Sequence, residues 1–247
     1  YTNLYFQESN SGYFTNGMVR FSEGDGVQMI NCSLNFVNSI IRDNAYDGLD
    51  LSGSNSTIDN CNILGNSHSG IRCDGSTLTI SNNTISNNTN SGILVIDVSD
   101  PTITGNTITS NNYGIYVDSP YDNLTANGNT IENNTAYPIR CYPHNVSGLY
   151  SNTFTGNTNQ QIYVEGGTVS EDASWEDQGI PYYIPSSETI IVQGLDGVDN
   201  VTTLTIEPGV TIEFDTSGGV YIGHDSNSNY PGALVADGTE IDQITFT

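Results

Sequence analysis

Residues 48–69, 70–91 and 92–113 read GLDLSGSNSTIDNCNILGNSHS, GIRCDGSTLTISNNTISNNTNS and GILVIDVSDPTITGNTITSNNY, three copies of one 22-residue phrase. Working outward, the phrase N-x-I-x-x-N returns at Asn83 to Asn88, Asn106 to Asn111, Asn129 to Asn134 and, with Phe154 for Ile, Asn152 to Asn157. Looser copies precede it, built on Cys61, Ile63 and Asn66 and on Ser39, Ile41 and Asn44. The apolar column Ile41, Ile63, Ile85, Ile108, Ile131, Phe154 steps by 22 or 23 residues. A second column, Leu49, Ile71, Ile93, Ile115, Ile139, Ile162, keeps the same rhythm with one step of 24, and a third, Leu51, Cys73, Val95, Val117, Cys141, Val164, runs two residues behind it. Two positions apart on a strand is the same face. Each period therefore holds short strands with alternating inward residues, broken by Gly and Asn turns.

A turn of about 22 residues cannot bury an apolar face alone, so successive turns must stack into a solenoid. Asn suits its corners, because it tolerates left-handed backbone and its amide both donates to and accepts from the Asn one rung away. The copies resemble the repeats of right-handed parallel β-helix proteins, the superfamily of pectate lyases, polygalacturonases and NosD-like proteins, over roughly residues 20 to 168. The fold expected is an all-β right-handed parallel β-helix, residues 1–168, with 22 to 24 residues per coil. Residues 169–186, VSEDASWEDQGIPYYIPS, carry acids, two prolines and the single Trp, and read as an exposed connection. Residues 187–247 read as the opening coils of a second β-helix, and their uncapped last strand as the mark of a fragment of a longer surface protein.

Composition narrows the function. Against 28 Asp and Glu stand 4 Arg and no Lys, a net charge of −24, so a nucleic-acid partner is excluded for want of cations to meet phosphates. No apolar run approaches the length of a membrane span. The chain reads as a mature extracellular or cell-surface protein, with eight N-x-S/T sequons as weak support for glycosylation. The four cysteines lack metal-ligand spacing; Cys73 and Cys141 share an inward column three rungs apart, about 14 Å, too far to bridge. All four are expected as buried free thiols.

Chemistry, if present, belongs on the outward rows of the sheet that carries the second and third columns. One row is Asp50, Arg72, Leu94, Tyr116, Arg140, Tyr163; the next is Ser52, Asp74, Ile96, Asp118, Tyr142, Glu165. The resemblance puts a substrate groove here. A lyase of that superfamily implies an Arg or Lys base and carboxylate-held Ca²⁺, which Arg72 with Asp50, Asp74 and Asp118 would supply. A hydrolase would use Asp74 and Asp118, two rungs or roughly 9.5 Å apart, as acid and base. Polygalacturonase-like enzymes, however, carry an Asp-Asp pair and a Gly-His-Gly motif that this chain lacks. An ordinary surface ion pair equally explains Asp50 and Arg72. Leu94 and Ile96, outward aliphatics among charges, read either as covered by a neighbouring segment or chain or, with Tyr116, as an apolar shelf; with Asp50, Arg140, Tyr142 and Tyr163 they mark the surface for a sugar or another chain. Asp43 with Asp47, and Asp196 with Asp199, are weaker Ca²⁺ candidates in turns, and of His68, His144 and His224 only His144 stands near the face. Two functions follow: a structural or adhesive surface module that meets polysaccharide or another surface-protein chain, or a polysaccharide lyase or glycoside hydrolase for an acidic glycan.

Overall fold

The structure is a computed structural model and describes residues 3–8, 11–196, 199–223 and 230–247. The chain divides into two compact units, Tyr1–Ile139 with Ser151–Gln160, and Arg140–Tyr150 with Gln161–Thr247.

In the first unit every coil contributes one short strand to each of three parallel sheets. The first sheet stacks Leu4–Gln7, Val27–Ile30, Leu49–Ser52, Ile71–Asp74, Ser91–Ile96 and Tyr113–Val117. The second stacks strands such as Thr57–Asp59, Thr79–Ser81 and Thr102–Thr104, and the third Asn62–Leu64, Thr84–Ser86 and Thr107–Thr109. Register is exact between coils: Ile71 pairs with Leu49 and Ile93, and Ile85 with Ile63 and Ile108. The columns read from the sequence line the inside of the first and third sheets. A further column that sequence periodicity did not single out, Phe36, Ile58, Ile80, Ile103 and Ala126, lines the second, and all five are fully buried.

Three hydrogen-bonded columns hold the corners. Between the second and third sheets, Asn83, Asn106 and Asn129 each accept, through Oδ1, the backbone N–H of the residue one rung earlier, and the amide of each Asn donates onward to the next. Between the third sheet and the next first-sheet strand, Asn44, Asn66, Asn88, Asn111 and Asn134 do the same, and Asn157 ends the column by donating to Gln160 Oε1. The third column, between the first and second sheets, consists of Cys32, Ser54, Ser76, Ser99 and Asp122, each amide donating to the next side chain. Cys32, which fell outside the Asn column in the sequence, has its place here. A column of glycines, including Gly48, Gly70 and Gly92, lets the backbones close up: a Cβ on Gly70 would lie 2.7 Å from both the Gly92 carbonyl oxygen and Ile85 Cγ2.

Coil length changes at one of these corners. A single left-handed residue, Asn31, Gly53 or Gly75, separates strand from column in the earlier coils. In the next coil two residues, Asp97 and Val98, both with positive φ (55° and 64°), fill the same gap and lengthen the step from Ser76 to Ser99 to 23 residues.

In the second unit strands also stack in parallel, and the step grows. Ile162 pairs with Tyr182, but Tyr182 pairs with Ile212 and Leu204 with Leu234, each 30 residues on. The expectation of an exposed connection over 169–186 is corrected. Ala173–Trp175 and Tyr182–Ile184 are strands of this unit, and Trp175 is 0% exposed, its ring 5.1 Å from that of Tyr182. The acids Glu176 and Asp177 point to solvent beside the buried ring, and Pro181 is compatible with the stack because its carbonyl accepts the Ile162 N–H at 2.8 Å.

All four cysteines are buried and unbridged. Burial in the apolar interior pushes the Cys73 and Cys141 thiols upward, away from the reactive thiolate. A thiol reagent without reductant should therefore find four groups after unfolding and essentially none in the folded protein; a count of two or none after unfolding contradicts the register.

Candidate functional site

Parallel register builds the outward face of the first sheet one rung at a time. In the first unit the inner row runs Gln28, Asp50, Arg72, Leu94, Tyr116, and beside it stand Ile30, Ser52, Asp74 and Ile96. Gln28 Nε2 donates to Asp50 Oδ2 at 3.1 Å, and Arg72 Nη1 donates to Asp50 Oδ1 at 2.6 Å. The other terminal nitrogen of Arg72 meets Asp74 Oδ2 at 2.9 Å. Arg72 is thus held between two carboxylates, one a rung below and one two residues along its own strand. Burial works against its charge, but the hydrogen bond and field of Asp50, with Asp74, outweigh it and hold the guanidinium above its ordinary value. At Asp74 the balance is reversed, and burial raises the carboxyl above its ordinary value despite Arg72.

Gln28, which the sequence reading left out, completes the network; its signal was its place one period before Asp50. Asp118 lies past the strand end and accepts the Tyr116 hydroxyl, while the Tyr113 and Tyr116 rings sit 5.2 Å apart. Leu94 is covered by its own chain. It is 7% exposed, as is Asp50, because flush rungs of long side chains, Arg72 on one side and Tyr116 on the other, flank it. Ile96 remains half-buried.

Arg140, Tyr142 and Tyr163 belong to the second unit. Arg140 Nε donates to Glu165 Oε1 at 2.5 Å, and its Cζ lies 4.9 Å from the centre of the Tyr163 ring. Tyr163 packs edge-on to Tyr183 at 5.8 Å, and Tyr183 donates to Asp215 at 3.0 Å. Tyr142 stacks on His144, and its amide is held by Asn145, which is buried, so the sequon at Asn145 is closed in the folded chain.

The acids do not fit the Ca²⁺ that the resemblance implied. Asp50 and Asp74 face Arg72, Asp118 faces Tyr116, and Asp43 faces Arg42. Asp47 accepts from His68 Nδ1 at 2.7 Å and from the Ser69 amide, an arrangement the sequence did not disclose; Asn90 sits on the other His68 nitrogen. Asp196 accepts the Asp172 amide and Asp199 the Val201 amide. Among the described residues no three His, Cys, Asp or Glu converge as a metal site. His224 lies outside the described residues.

The pKa directions carry a stability statement. Burial raises Asp25, Asp74 and Asp122 in the folded chain above the value of 3.8 they have when exposed. Between 3.8 and the raised values the folded state binds more protons than the unfolded one, so stability is lost as pH rises through that window. Self-repulsion at a net charge of −24 acts in the same sense. The melting temperature is expected to rise as pH falls from 7 toward 3.8; a fall over that whole interval would refute the assignment.

With this geometry in place, comparison with protein families matches residues 4–171 to the right handed beta helix region. The chain belongs to that family. Neither the curated proteins nor the solved structures yield a match.

Proposed function

We propose that this chain is a structural and adhesive β-helix module of an extracellular or cell-surface protein, whose outward sheet meets another surface-protein chain or holds polysaccharide without cleaving it. The observation that supports the reading is the clamp on Arg72. A base for lyase chemistry must give up its proton, and the two carboxylates bound to Arg72 oppose that loss. The hydrolase pair fares no better: Asp74 is engaged with Arg72 and Asp118 with Tyr116. The half-buried Tyr116 and Ile96 leave an aromatic and aliphatic margin suited to contact.

The test is incubation with uronate-rich and neutral polysaccharides, with and without Ca²⁺, following unsaturated-product absorbance and reducing ends. Neither signal is expected. Cleavage that survives purification and vanishes in Arg72→Ala or Asp74→Ala would replace the scaffold with a lyase or hydrolase.

A further inference from the structure

Asparagine does two jobs in this chain, and the N-x-S/T signal falls on only one of them. Asn31, Asn55, Asn87 and Asn133 each head such a sequon and are exposed, and their carboxamide nitrogens make no hydrogen bond among the described residues. Asn31, Asn87 and Asn133 stand at left-handed corners, with φ of 53°, 56° and 54°, and their side chains leave the stack. The coil after Asn31 has Gly53 at the same corner, and the coil after Asn133 has Gly156. A Cβ on these glycines would lie 2.3 Å and 2.4 Å from the Oδ1 of Asn31 and Asn133, so each carboxamide rests over a rung that carries no side chain.

The ladder asparagines are the opposite. Asn44, Asn66, Asn88, Asn111 and Asn134 are buried, with both ends of the amide engaged along the column. Two residues beyond them stand Tyr46, His68, Asn90, Tyr113 and Ala136, none of them Ser or Thr. All five of those positions reach solvent, so packing does not forbid a hydroxyl there. The sequon is thus kept off the asparagines that could not carry a bulky group without parting the coils.

We propose that Asn31, Asn55, Asn87 and Asn133 are N-glycosylation sites, each taking an oligosaccharide from a lipid diphosphate donor. The amide nitrogen forms a bond to the anomeric carbon, the bond from that carbon to the diphosphate oxygen breaks, and the diphosphate leaves with the electron pair. The amide proton passes to the base of the transferring enzyme. Asn31 and Asn55 lie where the first sheet turns to the second, Asn87 and Asn133 where the third turns to the first. The glycans therefore flank both margins of the face that carries Arg72 without standing on it. The proposal rests on the extracellular reading, because this transfer takes place outside the cytoplasm.

The experiment is secretion of the full chain, behind a signal peptide, from a eukaryotic host. Glycans are then removed with peptide N-glycosidase in heavy-oxygen water, which leaves a labelled Asp at each glycosylated position. Chain held back in the cell is mapped alongside. Chymotryptic peptides should show the label at all four asparagines and none at the ladder or at the buried Asn145. Thr89→Ala and Thr135→Ala, at exposed hydroxyls, should empty Asn87 and Asn133 completely while the other sites stay filled. Four bare asparagines, label at Asn145 in the secreted chain, or a filled Asn87 in Thr89→Ala would overturn the proposal. The polysaccharide assay above uses unglycosylated chain, so bare asparagines leave the scaffold reading as it stands, and cleavage there leaves the glycan map as it stands.

Discussion

Ile85→Asn is expected to destabilise the first unit by about 4 kcal/mol or more, enough to unfold much of the population at ordinary temperature. Ile85 is fully buried, stacked between Ile63 and Ile108, and its Cγ2 fills the space left by Gly70. The substitution removes that packing and places an amide where the surrounding groups are apolar. Asp74→Asn is the matched control on the outward face. Its carboxylate is partly exposed and shares Arg72 with Asp50, so the change should stay within about 1 kcal/mol. Chemical denaturation of both proteins decides the point, and equal losses would mean that inside and outside have been exchanged.

Asn106→Leu should cost nearly as much although it adds apolar volume to a buried site. Asn106 is 1% exposed; its Oδ1 accepts both the backbone N–H and the amide of Asn83, while its Nδ2 serves the Ile80 carbonyl and Asn129. Leucine leaves at least two buried donors on Asn83 without an acceptor, each worth about 1–3 kcal/mol, so a loss of roughly 4 kcal/mol is expected. Asn87→Gly provides the contrast. Asn87 is exposed and left-handed at φ 56°, and glycine takes that conformation freely, so thermal melts should move by little. A large loss at Asn87 together with a small one at Asn106 would reverse the roles of the two kinds of asparagine.

That distinction marks where sequence reading stopped. In Asn82-Asn83, Asn87-Asn88 and Asn133-Asn134 the first residue makes the left-handed corner and the second enters the buried column, yet both look alike in a repeat. The inward Ile columns were legible because period 2 on a strand and period 22 along the chain both point to one face. The serine column was not, since Ser54, Ser76 and Ser99 vanish among the other hydroxyl residues until their neighbours' amides are seen to donate to them. Trp175 was misplaced for a related reason: acids on either side suggested solvent, whereas the strand Ala173–Trp175 carries the indole inward and Glu176 and Asp177 lie past its end in solvent. On the first sheet the partnership of Asp50 with Arg72 followed from rung spacing alone. The burial of Leu94 did not, because it depends on how far the side chains of adjoining rungs reach.

The extra residue at Asp97 and Val98 has a consequence for how such a chain changes over generations. Within a strand one residue more would turn every following side chain to the other face, whereas corners can absorb it, as the step of 24 from Ile115 to Ile139 also does. At the corner between the first and second sheets an added residue is absorbed in a second left-handed step, and the strands beyond keep phase with their neighbours. That corner is therefore a port through which loops can be gained without rewriting the stack. Peptides grafted after Ile96 should be displayed at the surface, whereas the same insertions after Ile80, inside a strand, would throw the following coil out of phase.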